Sequence, residues 1–239
     1  MTSKVRNPIT PISVLMVLAL TSFAYPSANA ATQSNRIQGK TYNELAKLPD
    51  FSGLWLRVIP PGTPLNPLGP AQTAGAGDAS MRACQPAGLP RIMFGVFPME
   101  FLFTPGRVTL LIEFEHSIRN IYTDRQHGDD PEITYMGESI GHWEGDTLVV
   151  DTVGIRPRNM TAAETSNGVG IHMLERMRLE SPDILSIETT VNNPGDSIPQ
   201  KTTQRYERHR DWKLREYYCE DNPRDTINDK GEAAVDLSL

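Results

Sequence analysis

The stretch 137–154, GESIGHWEGDTLVVDTVG, constrains the fold of this chain more than any other. Its middle, Glu144-Gly145-Asp146, has the chemistry of a tight turn. Glycine takes a positive φ at little cost, and an aspartate side chain bonds its own backbone. Residues 147–153 follow as a β-branched, mostly apolar run of the length a strand prefers. Ahead of the turn, Glu138, Ile140 and His142 alternate with Ser139, Gly141 and Trp143. The stretch predicts a hairpin with His142 on one arm and Asp151 on the other. The rest of the chain reads as strands added around it.

Taken in order, residues 42–48 have a short helical pattern and residues 51–59 form a first strand. Gly53-x-Trp55 within it resembles the opening strand of lipocalin-like barrels, although a core tryptophan on any strand accounts for it equally. Residues 60–98 are rich in Pro, Gly and Ala. Proline lacks a donor and glycine costs entropy, so this segment predicts a long ordered loop rather than a helix or central strand. Strands resume at 100–104. After the Pro105-Gly106 turn, residues 107–123 form one bent strand or a pair. Period-two alternation puts Val108, Leu110, Ile112, Phe114, His116, Ile118, Asn120 and Tyr122 on its inward face. Further hairpins are expected over 171–192 and over 202–219, with a charged, fraying tail from about 221. No segment of any length has helical periodicity. Eight to nine strands at hairpin spacing predict an all-β fold: a single antiparallel barrel, lipocalin-like, or a sandwich.

The chain's 239 residues carry a formal charge of −6. Lys4 and Arg6 precede an apolar run, 12–24, too short for an ordinary membrane span, and Ala28-Asn29-Ala30 is a small-x-small cleavage site. Residues 1–30 therefore read as a signal peptide and residues 31–239 as one domain, periplasmic or secreted. No further stretch is apolar enough to insert in a membrane. An acidic chain has no general attraction for nucleic acid or anionic lipid, which bind through basic patches. The two cysteines, Cys84 and Cys219, would reach an oxidising compartment, where a pair commonly forms a disulfide.

Several strings resemble an uncharacterised group of secreted bacterial proteins. They are Cys84-x-Pro86-x-Gly88-x-Pro90-Arg91-x-Met93, Thr104-Pro105-Gly106, the run from Glu113 through His116 and Arg119 to Asp124, and Gly141-x-Trp143-Glu144-Gly145-Asp146-Thr147-Leu-Val-Val-Asp151-Thr-Val-Gly154. The likeness runs from about Phe51 to Glu220 and implies export and an all-β fold. Two places depart from the group. Arg125 and Gln126 stand where it commonly continues Asp-Gly-Arg, and His172-Met-Leu-Glu175-Arg176 lacks the group's His-Ser ahead of this strand.

The five histidines, His116, His127, His142, His172 and His209, show no metal-ligand spacing, and no P-loop, dinucleotide fingerprint or CxxC occurs. Neither a metal nor a redox cofactor is expected. Gly137-Glu-Ser139-Ile-Gly141 spells a nucleophile elbow, but a hairpin rather than a strand-to-helix turn surrounds it. General acid–base chemistry remains. His116 or His172 would be the base and Tyr122 or His142 the acid, all near a barrel interior. Arg119 and Arg176 would hold an anionic group, with Asp124 and Asp151 orienting histidine or substrate. The same residues serve equally as a satisfied polar network. The expected function is an exported lyase, isomerase or decarboxylase acting on a small, partly apolar organic molecule. The alternatives are a periplasmic ligand-binding protein and a structural envelope protein.

Overall fold

A computed structural model describes residues 39–60, 86–157, 170–217, 225–227 and 233–235. The chain divides into two units, Met1–Ser34 and Asn35–Leu239, and every described residue belongs to the second. The expected signal peptide, Cys84, Cys219 and their disulfide lie outside the described residues.

After a one-turn helix α1 (Tyr42–Leu45), nine strands form a closed barrel in chain order. They are β1 (Leu54–Arg57), β2 (Met99–Thr104), β3 (Arg107–Ile112), β4 (Ser117–Tyr122), β5 (Glu138–Glu144), β6 (Thr147–Ile155), β7 (Ile171–Ser181), β8 (Ile184–Asn192) and β9 (Gln200–His209). The β5–β6 hairpin is the one the sequence predicts, Glu144 opposite Thr147 and Glu138 opposite Val153. Closure rather than two stacked sheets decides between barrel and sandwich. β4 and β5 run parallel, so the barrel is mixed and not wholly antiparallel. The long connection between them, 123–137, allows that, since two parallel strands cannot be joined by a tight turn.

Alternation fills the interior. Trp55, Leu110, Ile121, Trp143, Leu148, Val150, Met173, Met177, Leu185 and Ile187 are all buried within one core. Each such side chain contributes about 1.5–3 kcal/mol when fully removed from water. Phe51 meets Trp143 and Phe101 edge-on at 5.6 and 5.4 Å. Arg208 of β9 closes the ring against β1. Its guanidinium lies 4.5 Å over the Trp55 ring and donates to the carbonyls of Asp50 and Ser52. From the Pro/Gly-rich segment, a 3-10 turn (Arg91–Phe94) buries Ile92, Met93 and Phe94, and the Tyr206 hydroxyl donates to the Met93 carbonyl.

Two expectations need correction. The alternation over 107–123 is broken by a 3-10 turn (Phe114–His116) in which Glu115 and His116 take φ of 55° and 48°. That turn resets the phase, so Arg119 and Ile121 face inward while Ile118 is exposed and Asn120 and Tyr122 are half-buried. Of the second arm of the hairpin expected over 202–219, the described residues 213–217 form no strand, and β9 pairs with β8 and β1. Beyond the barrel, the described residues of the tail form a small antiparallel pair, β10 (Asp225–Ile227) and β11 (Ala233–Val235).

Candidate functional site

Period two sends neighbouring residues of β5, β6 and β7 to opposite faces, and a polar cluster stands on each face. Inside, Arg119 is 1% exposed and Glu175 is fully buried. Both terminal nitrogens of the guanidinium donate to the Glu175 carboxylate, forming a bidentate pair. The remaining Arg119 donors reach the Ser139 hydroxyl at 3.3 Å and the Thr152 hydroxyl at 3.1 Å, and those two hydroxyls meet at 2.9 Å. Arg119, expected to hold a substrate anion, is thus occupied within the protein.

Outside, Asp151 is bracketed by two histidines. His172 Nε2 donates to Asp151 Oδ1 at 2.5 Å. Asn192 Nδ2 stands 3.4 Å from His172 Nδ1, and donation there leaves the ring proton on Nε2. On the other side, His127 reaches in from the β4–β5 connection. Its Nδ1 lies 3.1 Å from Glu138 Oε2, to which it donates. Its Nε2 faces Asp151 Oδ2 at 3.5 Å, shielded from solvent and without a hydrogen bond. The two nitrogens of the His127 ring thus face two different carboxylates, Glu138 and Asp151.

Glu138 also belongs to the wall of a recess of about 420 Å³ between β4 and the connection that leads into β5. Ile118, Asn120 and Tyr122 line one side, and Pro131, Met136 and Glu138 the other. Arg119 and Ser139 touch its floor, which joins the recess to the interior cluster. The Tyr122 ring carries the Arg125 guanidinium at 3.9 Å.

The sequence-predicted residues therefore separate. Asp151 and His172 are brought together, and Tyr122 and Arg119 both line the recess. His142 and Arg176 meet elsewhere on the outer face, both bonded to Glu144 at 3.0 Å. Those two contacts, His142 first, hold the Glu144 carboxyl below its ordinary value. Asp124 is exposed and paired with Arg125. His116 is exposed on its positive-φ turn, where Nε2 accepts from the Tyr217 amide at 2.9 Å. The expectation that these groups line the barrel interior is corrected by strand parity: Tyr122, His142, Asp151 and His172 alternate with the buried residues and are half-exposed.

Sequence reasoning passed over His127 and Glu138. The signal for Glu138 was available, since it shares a face with Ile140 and His142. His127 sits in a charged loop whose path no periodicity reveals. Among the described residues no group of three or more His, Cys, Asp and Glu is arranged to hold a metal ion. No family model, curated protein or solved structure matches the chain.

Proposed function

We propose that this protein is an exported enzyme that binds a small, partly apolar organic molecule in the β4–β5 recess and acts on it by proton transfer. The reaction class is a lyase, isomerase or decarboxylase. Glu138 and Tyr122, at the recess wall, are the groups that touch the ligand. Glu138 exchanges the proton with the ligand, the His127 Nδ1–H holds its carboxylate in place, and Asp151 and His172 stand behind that ring. The observation that carries this reading is the Glu138 carboxylate, which stands in the recess wall and is bonded to the His127 ring, whose other nitrogen is shielded from solvent and faces Asp151. A recess of this volume suits a small molecule. Its mixture of Ile118 and Met136 with Asn120, Tyr122 and Glu138 suits one that is partly apolar.

The test is to purify the chain natively from an exporting host, expose it to a pool of host metabolites and follow losses by mass spectrometry. The wild type consumes a compound, and His127→Gln and Glu138→Gln each slow that conversion about a hundredfold or more. Unchanged conversion in both variants would sink the assignment. The recess itself equally supports a second reading, a ligand-binding protein. A compound that co-purifies, leaves on denaturation and is never converted would establish it.

A further inference from the structure

The recess follows from an incomplete strand pairing, and this points to what it holds. On one side β4 registers with β3 along its whole length, Ser117 opposite Ile112 through Tyr122 opposite Arg107. On the other side it registers with β5 only at Ile121 and Tyr122. Residues 117–120 therefore have a strand partner on one side alone, and the recess opens along that stretch, with Ile118, Arg119 and Asn120 in its wall. An unpaired strand edge presents a row of N–H and C=O groups, the template onto which an extended peptide adds as a further strand. Ile118, 57% exposed, offers an apolar contact for one side chain of such a ligand.

The charges select among peptides. Asp130 and Glu132, at the rim, have no ion-pair partner among the described residues, and Glu138 is answered by His127. The lining's one cation, Arg119, is spent on Glu175. The field in the recess is therefore negative, which draws lysine or arginine and repels acidic side chains.

We infer that the recess takes a short, extended, basic peptide, about three or four residues long, paired as an extra strand along residues 117–120 of β4. This rests on the reading of the recess as the ligand site and names the class of molecule it receives.

The probes are Ac-Lys-Val-Lys-Val-NH2, its glutamate counterpart Ac-Glu-Val-Glu-Val-NH2, and the lysine peptide with N-methylated amides. Binding is measured by calorimetry on the native chain, and the site is mapped by amide hydrogen exchange. The lysine peptide is expected to bind, to slow exchange at residues 117–120, and to weaken as salt is raised. The glutamate and N-methylated peptides should bind at least tenfold more weakly. Asp130→Asn with Glu132→Gln, both exposed positions, should weaken the lysine peptide about tenfold while circular dichroism stays unchanged. Equal binding of the N-methylated peptide, protection elsewhere, or no binding at millimolar peptide would overturn the inference. Protection of 117–120 without conversion of any compound would overturn only the enzymatic reading. Conversion of a non-peptide compound without peptide protection would overturn only this one.

Discussion

The same strands carry two polar clusters that differ in one respect: inside, every group is spent, and outside, one is not. Ser139 and Thr152 belong to the interior cluster, and their chain neighbours Glu138 and Asp151 to the outer one. The interior pair is desolvated, bidentate and flanked by two hydroxyls, so nothing there is left to exchange a proton with a ligand. The outer cluster is partly exposed, with side-chain exposures of 23% at His127 and 44% at His172, and keeps one ring nitrogen unbonded. Polar groups of similar type, one residue apart, are thus sorted by strand parity into a structural set and a set with chemical capacity.

Removing one interior partner gives the largest effect. Arg119→Met leaves Glu175 as an uncompensated charge in the core and should cost about 3–5 kcal/mol in denaturant unfolding. Arg119→Met combined with Glu175→Leu should recover most of that loss. A double variant as unstable as the single would mean that the ion pair itself, not the stranded charge, holds this region. Gly137 sits just ahead of both Glu138 and Ser139, with φ +60° and room for no Cβ, which would lie 2.5 Å from the Val153 carbonyl oxygen. Gly137→Ala is expected to cost about 1–3 kcal/mol and to disturb both clusters together.

On the outer face the order of effects reverses. Asp151→Asn should change stability by less than about 1 kcal/mol, because the pair is half-exposed, while slowing conversion about a hundredfold. A variant that loses several kcal/mol of stability yet keeps its rate of conversion while folded would reassign Asp151 to the structural set. The smallest effect is at Glu144. Its folded value lies below the ordinary 4.5, so its contribution is complete above that pH and is lost as pH falls through the folded value. Glu144→Gln should lower the neutral plateau of the stability–pH curve slightly, flatten its acid side and converge with the wild type below the folded value, measured by thermal unfolding across that range.

Much of this was legible in the chain. Alternation and turn residues place β2, β5, β6, β7 and β8 closely, because each is a local pattern closed by a local turn. The phase of β4 was not legible, since two successive residues with positive φ, Glu115 and His116, are not glycines and look like any strand residues. That one turn moved Arg119 from the solvent face into the core and Tyr122 the other way. The partner of β9 is not legible for a different reason: Thr202 to Cys219 reads as a local hairpin, whereas β9 registers with β1, distant in sequence. His127 meets Glu138 and Asp151 only through the path of a loop, and no spacing rule encodes that path.

The joint between β9 and β1 also bears on how the molecule is assembled in time. Leu54 and His209, which register with each other, are roughly 150 residues apart, and β1 is clasped on its other side by only two residues of β2. As the chain emerges from the ribosome, β1 appears first yet cannot be secured until β9 has followed. Through most of that interval the growing sheet has two open margins, with Trp55 uncovered by Arg208. The period when this protein is most exposed to misassociation or to a protease therefore ends with its last barrel strand, and Arg208 is the residue that marks the moment.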